Sequence, residues 1–191
     1  DFQSGLKFLL TGEIEHRGKK VHINPNEWGL TVLFHNFLHE IDVGFDTTNI
    51  EKVLSARVAD KIEDVETLKL KLNENDLQFT NAILNANYNA EIERIAKLII
   101  KRKKNVLKEI SPSSFCNQIK KKVFIMHGAN DSMVPYTESI KLGQTIPNNK
   151  LLISYLYEHK EISSNSGIYT KLKEISKLEK FFAEYFRANE N

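Results

Sequence analysis

The sequence contains one cysteine, Cys116, so no disulfide can form within it, and a disulfide-stabilised scaffold is excluded. Proline is scarce, at four residues, and no proline-rich or low-complexity linker interrupts the chain. Neither sign of charge dominates. Twenty-seven Lys and Arg stand against 25 Asp and Glu, a net charge of +2, which removes any dominant electrostatic pull toward nucleic acid or an anionic membrane. The apolar runs fall far short of the roughly 18 residues a spanning helix needs, so no membrane span is expected. The first residues, Asp1-Phe2-Gln3-Ser4, include no initiator methionine, and no basic stretch precedes an apolar one as in a signal peptide. The expectation is a chain that begins partway through a longer protein. Its compartment is cytoplasmic by default, with an upstream signal peptide left open. Phosphate-binding glycine loops, cofactor signatures and internal repeats are also lacking, so no cofactor is expected. Most telling, G-x-S-x-G occurs nowhere.

What is present is ordinary in bulk. With 191 residues and a hydrophobic fraction of 41%, the chain can bury a sizeable core as one or two domains. Its first part reads as helical with one hairpin. Residues 13–23 are two short alternating segments around Arg17-Gly18, a β-hairpin pattern. Asn24-Pro25-Asn26-Glu27 then gives a helix start, with Asn24 as N-cap, Pro25 at the first position and Glu27 at the third. The helix that follows carries Trp28, Val32, Phe34, Leu38 and Ile41 and is apolar around much of its girth. Shorter stripes follow at Ile50, Val53 and Leu54, at Val65, Leu68 and Leu72, and at Leu77, Phe79 and Ile83, the last starting near Asn75 or Asp76. A longer helix is expected from about residue 89 to 109, with Ile92, Ile95, Ile99 and Val106 on its apolar side.

The pattern changes at Ser111-Pro112, where Pro112 disfavours helical geometry at Ser111. Residues 113–119 suggest a short helix. Val123 to Met126 is a compact apolar run of the kind found in strands covered on both faces. Residues 136–146 read as a helix, Pro147-Asn148-Asn149 as a turn, and 151–157 as a second apolar strand. Residues 169–186 form an amphipathic helix with Leu172, Ile175, Leu178, Phe182 and Tyr185 on one stripe. Strand, helix, strand, helix at these lengths implies a parallel βαβ unit. Two strands alone leave unpaired edges, so this half calls for more sheet than the chain supplies.

Chemistry concentrates after the first of these strands, in His127-Gly128-Ala129-Asn130-Asp131-Ser132-Met133-Val134-Pro135, and again at His159, twenty-eight residues beyond Asp131. A carboxylate that holds a histidine in one tautomer leaves its other nitrogen free to take a proton from a nucleophile. In open α/β sheets such groups lie on loops at the carboxyl ends of strands. Gly128 permits the sharp turn and Pro135 stiffens its exit.

The run from Ser111 to the end resembles the C-terminal portion of an α/β-hydrolase. The match is carried by the Ser-Pro segment, the apolar strand, the pattern H-G-x-x-D-x-x-V-P (His127, Gly128, Asp131, Val134, Pro135), a helix, a second strand, a histidine loop and a final helix. The resemblance implies that Asp131 is the triad acid, that His159 is the triad base and that His127 is a turn residue. Glu158 replaces the glycine usual before the family's histidine. The resemblance also implies that residues 1–110 are a mainly helical lid carrying the hairpin, and that 111–191 are the C-terminal part of the core. The nucleophile elbow would lie earlier in the core, and its absence implies a chain that supplies the acid and base without the serine. The substrate implied is a small-molecule ester or amide. The partner implied is a missing N-terminal core segment or another copy of the chain. The alternative is a non-catalytic relative that kept the fold as a binding or scaffolding module.

Other candidates read as structural. His35 and His39 are four apart on a helix but lie in His-Asn-Phe-Leu-His, without the glutamate of H-E-x-x-H; no metal is expected. Lys101-Arg102-Lys103-Lys104, with acidic neighbours, reads as a solvated helix face. Cys116 has no basic neighbour in sequence to activate it. Trp28, Phe34 and Phe37 at helical spacing read as core. Ser4, Ser132 and Ser166 lack the strand-turn-helix setting of a nucleophile.

Overall fold

The computed structural model describes residues 2–16, 18–156 and 168–190. Helix α1 (Phe2–Thr11) opens the chain, an element the sequence reading did not anticipate. The hairpin is formed by β1 (Glu13–His16) and β2 (Lys19–His22), antiparallel with Ile14 opposite Val21. Helices α2 (Glu27–Phe37), α3 (Thr48–Val58), α4 (Ile62–Lys69), α5 (Glu74–Leu84), α6 (Ala90–Arg102) and α7 (Lys104–Ile110) follow. Two 3-10 turns, Pro112–Ser114 and Cys116–Gln118, replace the expected short helix. The chain then forms β3 (Val123–Gly128), α8 (Tyr136–Thr145), β4 (Asn149–Ser154) and α9 (Ile168–Asn189). β3 and β4 pair in parallel, with Val123 opposite Asn149 and Gly128 opposite Ser154. The architecture is mixed α/β, a partial α/β-hydrolase-like fold. Among the described residues no helix is long and apolar enough to cross a membrane.

Contacts divide the chain into two units. One comprises Leu9–Gly12 and Pro25–Val106, the other Asp1–Phe8, Glu13–Asn24 and Leu107–Asn191. The hairpin, expected with the helical region, groups with the C-terminal unit.

In the helical unit, α2 packs on α3, α5 and α6. Leu30, Phe34, Ile50, Val53, Leu54, Ile83, Ile92, Ile95 and Ile99 are buried. Phe34 meets Phe79 edge-on at 5.8 Å between centroids, and Phe79 meets Phe45 at 5.5 Å, the geometry that the ring quadrupoles favour. Asparagines start three of the helices. Asn26 caps α2 by accepting from Trp28 N–H at 2.9 Å. This corrects the assignment of the cap to Asn24, whose side chain is instead 3.1 Å from His22 Nε2. Asn73, rather than Asn75 or Asp76, caps α5. Its side chain accepts from Asp76 N–H and donates to the Asp76 carboxylate, both at 2.9 Å, as an N-cap asparagine can. Asn89 caps α6 through Glu91 and Ile92 N–H.

The single long helix expected over 89–109 is two helices, broken at Lys103. The Lys103 ammonium pairs with Glu40 and lies 5.5 Å from the Phe37 ring centroid. These partners, about sixty residues away in sequence, hold Lys103 at the break. Where α2 meets Leu9, Gly29 permits close approach, because a Cβ there would lie 2.4 Å from Leu9 Cδ2.

In the C-terminal unit, strand alternation sends Val123 and Ile125 of β3 with Leu151 of β4 to one face. There they form a core with Cys116, Ile119, Leu142 and Ile146. The opposite face meets α9, where Phe124 stacks edge-on against Phe181 at 5.6 Å and Tyr185 at 5.3 Å. Lys150 reaches Glu184 at 2.8 Å. Ser111 is buried, donating to Leu107 C=O at 2.6 Å and accepting from Phe2 N–H at 3.0 Å. That is how the Ser111-Pro112 break is secured on the helical side.

Part of the α9 stripe read from the sequence is turned away from this core, although Tyr185 of the same stripe meets Phe124. Glu174 and Phe181 are buried, whereas Leu172 and Ile175 are 61% and 52% exposed and Phe182 and Phe186 are exposed as well. Among the described residues, Leu172, Ile175 and Phe182 are left exposed.

Candidate active site

Asp131 follows β3 by three residues, on the loop at the carboxyl end of the parallel pair. The ladder runs one step past the strands, with Ala129 N–H donating to Ser154 C=O at 2.7 Å. The chain then turns back. Asp131 is only 6% exposed, and its Oδ1 accepts from Met133 N–H at 2.8 Å and Val134 N–H at 2.9 Å. These bonds fix the plane of the carboxylate. They are the local turn bonds an aspartate makes in loops, and they anchor the carboxyl group of a buried side chain.

His127, the last side chain of β3 before Gly128, braces the turn from below. Its Nε2 lies 2.9 Å from Val134 C=O and 3.5 Å from Asp131 Oδ2, and its Nδ1 lies 2.6 Å from Ser139 Oγ on α8. A carbonyl can only accept, so Nε2 carries a proton; in the neutral ring Nδ1 then accepts from the Ser139 hydroxyl. Both ring nitrogens are engaged in tying strand, turn and helix together.

Both strands leave the sheet together, and a third group holds the exit of β4. Glu174 on α9 is 3% exposed. Its Oε2 accepts from Tyr155 N–H at 3.0 Å, and Oε1 pairs with Lys177 at 2.5 Å. Burial works to raise its pKa, but the Lys177 ammonium and the Tyr155 amide together hold it below the usual carboxylate range. Sequence reading passed over Glu174. The available signal was its place four residues before Leu178 and seven before Phe181, a helical face on which a carboxylate is out of character. Glu138, at the start of α8, shows the same balance. Burial raises its pKa, and hydrogen bonds that include Lys141 and the Ser4 hydroxyl, each at 2.7 Å, bring it below the ordinary range.

His159 lies outside the described residues, as do Glu158 and Ser166. Ser4 donates to Glu138 and Ser132 adjoins Asp131, so neither stands at a strand-to-helix elbow. His35 is on α2, but His39 falls on the 3-10 turn Leu38–Glu40 beyond the helix end. Among the described residues no group of His, Cys, Asp or Glu converges as a metal site. Cys116 is buried. The ring of Trp28 lies under the Arg57 guanidinium at 5.0 Å, and Lys103 is withdrawn from the basic run by Glu40.

A parallel strand pair joined by a helix, with a buried aspartate on the loop at its carboxyl end, is consistent with a partial α/β-hydrolase-like fold. The family model BD-FAE, a family of α/β-hydrolase-like esterase domains, matches residues 39–146, and the chain belongs to that family. The match includes Asp131 and α8 and stops before β4. No curated protein and no solved structure matches the chain.

Proposed function

We propose that this chain is the lid and C-terminal core portion of a serine hydrolase acting on small-molecule esters or amides, with Asp131 as acid and His159 as base. The observation that carries this reading is the register of the sheet. Gly128 stands opposite Ser154, so the loops bearing Asp131 and His159 leave from neighbouring strand ends. Paired strands lie about 4.8 Å apart, and the five residues from Ser154 to His159 can span up to about 17 Å. His159 is therefore within reach of Asp131.

In this mechanism Asp131 Oδ2 accepts from His159 Nδ1–H, while Oδ1 stays on the turn amides. His159 Nε2 takes the proton of a serine hydroxyl as its oxygen bonds to the substrate carbonyl carbon. The imidazolium then gives that proton to the leaving alkoxide or amine as the acyl–heteroatom bond breaks. Water, deprotonated by the same nitrogen, releases the acid and regenerates serine. The serine and the oxyanion-binding amides come from a core segment other than these 191 residues, which contain no G-x-S-x-G. Among the described residues β3 pairs with β4 alone and Leu172, Ile175 and Phe182 of α9 are exposed, which supports that reading, because further core would bury both.

An active-site-directed fluorophosphonate tests where the nucleophile resides. The 191-residue chain alone is expected to remain unlabelled, and a polypeptide extended at its N-terminus through the rest of the core to be labelled at one serine in an elbow. If the extended polypeptide has no elbow and takes no label, the non-catalytic binding module is the correct reading.

A further inference from the structure

A groove of about 670 Å³ lies within the C-terminal unit, lined by the hairpin, α8 and the end of β4. The chemistry assigned to Asp131 makes no use of it. Each of these elements contributes one ring, His16, Tyr136 and Tyr155. His16 meets Tyr136 edge-on at 5.6 Å between centroids, and Tyr155 is 57% exposed. Tyr136 begins α8 and Tyr155 follows β4, so the rings gather at the carboxyl end of the strand pair. Alternate residues of a strand share a face, and Leu151 and Ile153 continue the wall below Tyr155, with Ile140 of α8 beside them. From Leu151 to Tyr155 that wall runs about 13 Å, four steps of about 3.3 Å.

The two full charges on the lining differ in how they are met. Lys141 is 2.7 Å from Glu138, which answers its charge. Glu15 has Lys20 as its cross-strand neighbour, but the Lys20 ammonium is drawn to Glu13 at 3.6 Å. Among the described residues no cation pairs with Glu15. A carboxylate beside aromatic rings favours a positive guest, because ring faces carry negative potential. Ring faces and methyl groups offer few hydrogen-bond acceptors, which suits a quaternary head that has no hydrogen to donate.

We propose that this groove binds an alkyl chain with a quaternary ammonium head. The head sits among His16, Tyr136 and Tyr155 and beside Glu15, and the chain lies along Ile153 and Leu151. A chain of 1.52 Å bonds at tetrahedral angles advances about 1.25 Å per carbon, so about eight carbons fill the wall that the head leaves. The inference does not depend on the hydrolase reading.

Calorimetric titration of the 191-residue chain at pH 8 tests it with three probes that share a tail and differ in head: octyltrimethylammonium, octanol and octyl sulfate. The cation is expected to bind about tenfold more tightly than the alcohol, and the sulfate more weakly than either. Across alkyltrimethylammonium probes each added CH₂ is expected to tighten binding about fourfold, up to about eight carbons and no further. Ile140 and Ile153 methyl resonances are expected to shift on binding. Glu15→Gln and Tyr155→Leu change exposed side chains. Each is expected to keep the circular dichroism and to narrow the preference for cation over alcohol by about threefold. If a variant fails to fold, the wild-type probe series decides by itself. No binding at millimolar probe overturns the proposal. So does binding of the alcohol or the sulfate as tight as that of the cation, or a preference unchanged in both folded variants. Shifts at Leu172 and Ile175 of α9 in place of Ile140 and Ile153 overturn it as well.

Discussion

The two units solve the same physical problem differently. The helical unit spends its apolar residues on itself. Phe34, Leu54, Ile83 and Ile95 are buried, its caps are supplied locally by Asn26, Asn73 and Asn89, and the Lys103 ammonium finds Glu40. The C-terminal unit places buried carboxylates at the carboxyl end of its sheet, Asp131 and Glu174, while among the described residues apolar side chains of α9 are exposed and β3 and β4 pair only with each other. A region that satisfies its own groups has little left with which to bind or react. A region that holds anchored carboxylates and open edges has both chemistry and surface to offer, so the functional reading rests there.

The contrast is broken most strongly by a core truncation. Phe34→Ala is expected to destabilise the helical unit by about 3–5 kcal/mol, read by urea denaturation. Phe182→Ser on the uncovered α9 stripe is expected to change the stability of this chain by no more than about 0.5 kcal/mol. Equal losses would mean that the stripe is already covered.

A middle-sized effect belongs to Glu174. Glu174→Ala removes the acceptor of Tyr155 N–H and the partner of Lys177, at an expected cost of about 2 kcal/mol. Amide exchange should place the loss at the end of β4. Because the carboxyls of Glu174 and Glu138 are held below their ordinary range, their stabilisation is complete above the unfolded-state pKa of about 4.3. It is lost as pH falls through the lower folded-state values. The C-terminal unit is therefore expected to weaken on acidification from pH 6 toward pH 3, and Glu174→Gln to flatten that dependence. A pH profile unchanged by the substitution would contradict the role given to Glu174.

The smallest effect sharpens the account of the helical unit. Ala86, just past α5, has a left-handed φ of 48°, while Asn87 N–H closes on Ala82 C=O at 2.8 Å. That geometry favours glycine, so Ala86→Gly is expected to stabilise by about 0.5–1 kcal/mol. A loss of stability in thermal melts would show that the strain is absent.

Sequence reading succeeded where one residue type decides the outcome. Pro112 ends the helical region, Gly128 and Pro135 bracket the Asp131 turn, and the apolar runs at β3 and β4 begin or end within three residues of the observed strands. It failed where the deciding partner is distant in sequence. The break at Lys103 is held by Glu40 and Phe37, and the burial of Glu174 depends on the exit of β4. The α9 stripe was legible as a pattern, but its exposure was not, because periodicity identifies a face without saying what lies against it. At the site, the position of Asp131 at a strand end was legible from spacing. The bracing of its turn by His127 through Ser139 and Val134 required coordinates.

The central claim is that Asp131 and His159 form the acid–base half of a serine hydrolase site. Its most direct test is hydrolysis of a p-nitrophenyl ester by the polypeptide extended to include the nucleophile-bearing core, with Asp131→Asn and His159→Ala made in that background. The expected result is an active parent whose kcat falls by about 10³–10⁴ in either variant, with folding intact by circular dichroism. Wild-type rates in both folded variants would contradict the claim.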